Sequence, residues 1–102
     1  MSHFGHMVYF TLKDDSDDQQ QTLIDACKKY LSDHPGTVHF SVGRLADKHR
    51  DVNDRAFHIA LHVVFDSVEA QDAYQVDERH TAFINEQKDN WAQVRVFDSD
   101  LA

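Results

Sequence analysis

In residues 56–65, large apolar side chains alternate with a mixed set that includes two histidines. No other feature of the sequence constrains the fold as strongly. A period of two is that of a β-strand, because successive side chains of a strand point to opposite faces of the sheet. One predicted face carries Ile59, Leu61, Val63 and Phe65, and the other carries His58, Ala60, His62 and Val64. The chain is therefore predicted to contain a sheet with at least one covered face.

Three other segments, 4–12, 37–45 and 91–97, show the same alternation and complete a predicted set of four strands. In the first of them, one face carries His6, Val8, Phe10 and Leu12, and the other carries Met7, Tyr9 and Thr11. The polar segment 46–55 is predicted to be a solvated loop between antiparallel strands. Residues 98–102 are predicted to be a short tail.

The first helix is predicted to begin at Ser16, in a capping box with Gln19, and to end at about Ser32. Its apolar residues recur at intervals of three or four and form one buried stripe. The stripe consists of Leu23, Ile24, Cys27, Tyr30 and Leu31. The His-Pro-Gly segment 34–36 ends the helix, because proline cannot continue it and glycine permits the turn.

The second helical region is predicted to begin with Asp66 as its cap, three residues before Glu69, and to run through Tyr74. A further helical segment covers about 79–90. The order strand, helix, strand, strand, helix, strand predicts an α+β, ferredoxin-like βαββαβ fold with both crossovers on one face of a four-stranded antiparallel sheet. A length of 102 residues predicts a single domain over residues 1–102.

The sheet face opposite the helices is predicted to stay partly apolar. It carries Met7, Tyr9, Ala60 and Val64. An exposed apolar face of this kind marks an interface. We therefore predict a homodimer in which two copies stack these faces into a closed barrel.

The balance of charge argues against two classes of partner. Eighteen acidic and ten basic residues give a formal net charge of −8, whereas nucleic acids and anionic membranes attract clustered Lys and Arg. We therefore predict no nucleic-acid or membrane partner. With Cys27 as the single cysteine and no signal-peptide pattern at the N-terminus, we expect a cytoplasmic protein without an intrachain disulfide. No Gly-rich phosphate loop is present, and no cofactor is predicted.

Eight histidines raise the question of a metal site, and none is predicted within one chain. His58 and His62 are four residues apart, which on one face of a strand corresponds to roughly 13 Å and is too far to share an ion. An ion at the two-fold axis between two copies stays open as an alternative. We expect both imidazoles to face the interior of the dimeric barrel.

Tyr74 and His80 lie six residues apart at the junction of two helical segments, and the sequence around them resembles the stress-responsive A/B barrel family, the dimeric α+β barrels. The resemblance covers nearly the whole chain in the family's order. Besides this pair it is carried by His6-Met7-Val8-Tyr9-Phe10, His34-Pro35-Gly36, Val42-Gly43-Arg44, Phe57-His58-Ile59-Ala60-Leu61, Phe65-Asp66-Ser67, Phe83 and Val96-Phe97-Asp98.

The resemblance also implies a site, because a plant polyketide cyclase of the family closes a ring with a histidine and a tyrosine. The matching residues are His80 and Tyr74, with His6 in a supporting role. The implied pocket between the helices and the sheet is lined by Val8, Phe10, Leu23, Ile24, Leu61, Phe83 and Trp91.

Two functional hypotheses follow. In the first, the chain is a homodimeric, non-catalytic or uncharacterised stress-responsive A/B barrel protein whose main activity is assembly or the binding of a small apolar ligand between helices and sheet. In the second, it is a cofactor-free enzyme, similar to a polyketide cyclase or a monooxygenase, in which His80 acts as base and Tyr74 orients a carbonyl. A structural alternative stays open: His80 packs the second helix and Tyr74 is a core aromatic residue.

Overall fold

The computed structural model describes residues 2–102, which form one four-stranded sheet and three α-helices. The strands are β1 (His3–Leu12), β2 (Thr37–Arg44), β3 (Ile59–Phe65) and β4 (Trp91–Leu101), and the helices are α1 (Asp17–Leu31), α2 (Val68–Val76) and α3 (Glu78–Gln87), the last followed by a 3-10 turn at Lys88–Asn90.

The strand order in the sheet is β2-β3-β1-β4, and every neighbouring pair is antiparallel. This is the predicted ferredoxin-like arrangement, and the prediction of the fold is confirmed. The extents of 37 × 33 × 17 Å fit one layer of helices on one sheet, because packed layers lie about 10 Å apart. The predicted second crossover consists of two helices, α2 and α3.

The buried residues lie between the helices and the covered face of the sheet. His6, Val8, Phe10 and Leu12 all point into this layer, as their spacing in β1 predicts. Cys27 on α1 is fully buried, and burial raises the pKa of its thiol to about 12. The thiol therefore stays protonated and packs as a small apolar side chain.

Two predicted strand ends are wrong. β3 begins at Ile59, three residues later than predicted, and 56–58 belong to the preceding loop. β4 continues to Leu101, so the predicted tail is part of the sheet. The physical reason is that β1 begins at His3 and pairs with Leu101, which gives the polar end of β4 a hydrogen-bonding partner.

The helix caps agree only in part with the prediction. The Ser16 hydroxyl accepts a hydrogen bond from the Gln19 amide, as predicted. The Ser16 amide, however, donates to the Asp14 carboxylate, which takes the place predicted for the Gln19 side chain. The cap of α2 is Ser67 and not Asp66, because the Ser67 hydroxyl is the group that accepts from the Ala70 amide.

Gly36, in the turn after α1, has a φ of 84° and a position that admits no side chain. A Cβ there would lie 2.5 Å from Cβ of Ala70 and 2.9 Å from Oδ1 of Asp66. We expect Gly36→Ala to lower the free energy of unfolding by about 2 kcal/mol or more, since both the left-handed backbone and the overlap are costly. Urea denaturation measures this.

Gly43→Ala is the matched control for that substitution. Gly43 lies in β2, and a Cβ at this position would meet nothing within 4 Å. We expect this variant to be as stable as the wild type or slightly more stable. An equal loss in both variants would contradict the role given to Gly36.

Within residues 2–102, no helix combines the length and the apolar character that crossing a bilayer requires.

Candidate functional site

A cavity of about 200 Å³ lies between the helices α2 and α3 and the strands β1 and β4. Its floor is a ladder of paired residues, because Val8 pairs with Val96 and Phe10 pairs with Val94 across the two strands. Its wall is mostly apolar, with polar groups from His6, Tyr74, Gln75 and His80. The remaining lining residues are Leu31, Leu61, Phe83, Ile84 and Trp91.

Tyr74 is the centre of the polar part of this wall. Its ring contacts three imidazoles edge to face, with centroid distances of 4.9 Å to His80, 5.0 Å to His34 and 5.7 Å to His6. The residue is 2% exposed, and this burial raises the pKa of its hydroxyl well above the ordinary value. The hydroxyl therefore stays protonated at neutral pH and can donate a hydrogen bond.

His80 reaches the cavity because the chain turns sharply between α2 and α3. Asp77 makes this turn: it ends α2, and its carboxylate accepts from the Arg79 amide to cap α3. Nδ1 of His80 is buried and, within residues 2–102, has no hydrogen-bond partner. Burial first, and the neighbouring His6 and His34 next, lower the pKa of His80, so the imidazole is neutral at pH 7.

The lowered pKa of His80 predicts a dependence of stability on pH. The unfolded chain binds a proton at His80 near the ordinary pKa of 6.5, whereas the folded chain binds it only at lower pH. The free energy of unfolding should therefore decrease as the pH falls below 6.5, and level off below the folded pKa. Denaturation between pH 4.5 and 8 measures this. We expect His80→Gln to show a smaller decrease than the wild type; an unchanged pH dependence would contradict the assignment.

His6 lines the same cavity, and its imidazole also contacts a carboxylate on β4. Its Nδ1 lies 2.6 Å from Oδ1 of Asp98, the residue that pairs with it across β1 and β4. His6 is 4% exposed. Sequence reasoning assigned Asp98 to the tail and missed this contact. The alternation of Val94, Val96 and Asp98, continued past the predicted end of β4, was the signal that places Asp98 on the cavity side of the sheet.

The structure brings together most of the residues predicted for the site. His6, Tyr74 and His80 line one cavity, together with Val8, Phe10, Leu61, Phe83 and Trp91. Leu23 and Ile24 do not line it, and their prediction as pocket residues is corrected. Both are buried in the core in the middle of α1, whereas the residue of α1 that lines the cavity is Leu31, at the end of the helix.

The two histidines predicted for the barrel interior lie apart. His62 is on the sheet face opposite the helices, and its Nε2 is 3.2 Å from the Tyr9 hydroxyl. His58 precedes β3, where its Nδ1 accepts from the Leu12 amide and its Nε2 lies 3.2 Å from Asp15. The expectation that His58 faces the barrel interior is therefore corrected, because its ring contacts Leu12 and Asp15 at the end of β1. Among the described residues, no group of three His, Cys, Asp or Glu is arranged to hold a metal ion.

The open face of the sheet carries a cleft of about 440 Å³. Tyr9 lines it, with its ring centroid 4.9 Å from that of Phe57 and 5.8 Å from that of Phe97, and the ion pair of Arg95 and Asp54 lines it as well. Phe97 is 52% exposed, and Met7 lies beside it as its partner across β1 and β4. This face, which we call the open face, is the one that the sequence predicts to be apolar.

Comparison with protein families gives one match of nearly full length. The model described as Stress Responsive A/B Barrel Domain matches residues 4–101. Among curated proteins, no significant match was found.

Solved structures with the same fold are numerous. A Dabb family protein with a ferredoxin-like fold from Mesorhizobium loti has a TM-score of 0.81 at 23% identity, over 100% of this chain and 99% of that one. A dimeric ferredoxin-like protein of unknown function from Thermobifida fusca has a TM-score of 0.81 at 20% identity, over 98% and 92%. The hydroxynitrile lyase from Passiflora edulis has a TM-score of 0.78 at 19% identity, over 98% and 94%.

Proposed function

The chain belongs to the family described as Stress Responsive A/B Barrel Domain, and from this premise we propose that it is a homodimer in which each protomer binds a small, mainly apolar molecule between its helices and sheet. The observation that carries the proposal is the chemistry of the cavity wall. The wall is apolar over most of its extent, and its polar groups converge from β1, α2 and α3. A site of this composition binds by apolar contact and orients its ligand by a few polar groups.

The volume of the cavity limits the size of the ligand. A dry cavity of about 150 Å³ holds one benzene molecule. A volume of about 200 Å³ therefore suits a single ring or a short branched chain with one or two polar substituents. A hydroxyl or carbonyl at one end would meet Tyr74 and the imidazoles beside it.

The open face supports the homodimer. It presents exposed aromatic side chains around a cleft on a sheet that helices cover on the other side only. Apolar surface of this kind is stabilised by contact with a second copy. The Thermobifida fusca protein of the same fold is described as dimeric. A cytoplasmic location, indicated by the lone cysteine, is part of this proposal.

A second candidate function is cofactor-free proton transfer, and the contact between Tyr74 and His80 favours it. The Tyr74 hydroxyl, which stays protonated, can donate to a carbonyl oxygen, and a neutral imidazole of the cavity can take a proton from the carbon beside that carbonyl. The family resemblance gives the second role to His80. A hydroxynitrile lyase shares this fold, which supports the compatibility of the fold with catalysis.

Binding of phenol by isothermal titration calorimetry tests the ligand site. We expect saturable binding with a dissociation constant of about 1 mM, because a ring of seven heavy atoms against a mainly apolar wall gains about 4 kcal/mol. Val96→Trp should block the binding of phenol, because Val96 lines the cavity. Val96 is also 49% exposed, so the larger indole side chain can be accommodated without unfolding the core.

Val38→Trp is the matched control for the blocked variant. Val38 is 53% exposed and lies in β2, away from the cavity. This variant should bind phenol as the wild type does. Absence of saturable binding to the wild type, or equal binding to both tryptophan variants, would refute a ligand site in this cavity.

Exchange of the methyl protons of acetophenone in D2O tests the second candidate. We expect the wild type to accelerate the exchange, followed by NMR, above the rate given by free imidazole at the same concentration. Tyr74→Phe should return the rate to that level, because the ring stays and only the hydrogen-bond donor is lost. An unchanged rate of proton exchange in Tyr74→Phe would refute the proposed catalysis by Tyr74 and would leave the proposed ligand binding untouched.

A further inference from the structure

His6 and Asp98 form a pair in which the carboxylate holds the imidazole in an orientation suited to proton transfer. The two residues lie directly opposite each other in the register of β1 and β4, and 2.6 Å separates Nδ1 of the imidazole from Oδ1 of the carboxylate. The imidazole is 5% exposed, whereas the carboxylate is 44% exposed. The carboxylate is therefore hydrated on its outer side and contacts the ring on its inner side.

This contact determines which nitrogen of His6 carries the proton. An ionised carboxylate only accepts hydrogen bonds, so Nδ1 must be the donor. In the neutral ring, Nε2 then has a free lone pair. His6 lines the cavity, and Nε2 is the ring nitrogen that remains available to a molecule bound there.

We propose that His6, and not His80, accepts the hydrogen bond or the proton of the molecule in the cavity, and that Asp98 is the positioning residue that holds its Nδ1–H. This inference rests on the proposed ligand site and names the chemistry of that site. It predicts ligands that present an N–H, O–H or acidic C–H to Nε2 of His6 while an acceptor oxygen faces Tyr74.

His80 is less suited to this role on geometric grounds. Its Nδ1 is buried without a hydrogen-bond partner among the described residues, so nothing there fixes its tautomer. The carboxylate near His80 is that of Asp77, and it accepts from the Arg79 amide instead of contacting the imidazole. At His6, by contrast, the Asp98 carboxylate is in direct contact with Nδ1 and fixes the tautomer.

The proton balance of the step is simple. A C–H bond beside a carbonyl, or an O–H bond, of the bound molecule breaks, and the proton forms a bond to Nε2 of His6. The electron pair stays on the bound molecule as an enolate or other oxyanion, to which Tyr74 donates a hydrogen bond. Nothing is oxidised or reduced.

Two rings of equal size, pyrrole and furan, test the inference. Pyrrole has an N–H donor and no acceptor, whereas furan has no donor. We expect the wild type to bind pyrrole about tenfold more tightly than furan, the value of one hydrogen bond to a buried acceptor. In Asp98→Asn the amide can donate to Nδ1 and reverse the tautomer, so this preference should fall to near unity.

Nitrogen NMR of the free protein reads the tautomer of His6 without any ligand. The wild type should carry the proton on Nδ1, and Asp98→Asn should populate the form with the proton on Nε2. Asp100→Asn is the matched control, because Asp100 lies on the same strand and face but pairs with Phe4. It should keep both the wild-type tautomer and the preference for pyrrole.

The outcomes are distinct. A wild-type His6 protonated on Nε2, or an Asp98→Asn variant with the wild-type tautomer and ring preference, would overturn the role of the pair. Failure of both rings to bind the wild type would overturn the proposed ligand site instead, while the NMR measurement would still decide the role of Asp98.

Discussion

Tyr74→Ala is expected to lower the free energy of unfolding by about 4 kcal/mol, the cost of removing a large aromatic ring from a packed core. Tyr74 is 2% exposed, and its ring contacts Phe65 at a centroid distance of 5.0 Å in addition to the three imidazoles. Edge-to-face contacts of this kind add to the loss of buried area. Chemical denaturation followed by circular dichroism measures the change.

Tyr74→Phe is the control for the ring. The substitution keeps the packing and removes only the hydroxyl, so its stability should lie within about 1 kcal/mol of the wild type. Its effect should appear instead in ligand binding and proton exchange. A loss of stability as large as that of Tyr74→Ala would mean that the hydroxyl is structural, which would contradict its role toward a ligand.

Phe97→Asp is expected to convert the proposed homodimer to a monomer. Phe97 is 52% exposed in β4 and lies on the open face, so the fold of one protomer should tolerate the change. In the dimer, the substitution would bury two carboxylates, one from each copy, on a face where the Arg95 guanidinium is already paired with Asp54. We expect association to weaken by about a hundredfold or more. Light scattering after size exclusion, over a range of concentrations, measures this.

Val76→Asp is the control for charge. Val76 is 80% exposed at the end of α2, away from the open face, and receives the same substitution. This variant should remain a dimer. A monomeric wild type, or a Phe97→Asp variant that dimerises as tightly as the wild type, would show that the open face is not the interface.

The spacing of apolar residues along the sequence was sufficient to predict the sheet and its helical crossovers. Alternation in β1 and β3 gave the inward-facing residues, and the Ser16 cap gave the start of α1. The end of β4 was not predictable in the same way. Residues 98–101 are mostly polar, and they form a strand because β1 is long enough to pair with them. Pairing between distant strands is a tertiary effect that local pattern does not contain.

The residues of the site were predictable to a similar degree, and the prediction failed in part for a related reason. The resemblance to the family pointed to Tyr74, His80 and His6, which line one cavity. A stripe on α1 indicates which residues are buried, but it does not indicate above which strands they lie. The stripe therefore predicts Leu23 and Ile24 for the pocket, although the residue of α1 that lines the cavity is Leu31, at the end of the helix. Asp98 was missed together with the end of β4.

The location of bound phenol decides whether the cavity between the helices and the sheet is a ligand site. In protein with labelled methyl groups, intermolecular NOEs report which side chains surround the ring. We predict NOEs to the methyl groups of Val8, Ile84, Val94 and Val96, which line the cavity. NOEs to Met7 and Val64 on the open face, without any to the cavity residues, would show that phenol does not bind in this cavity.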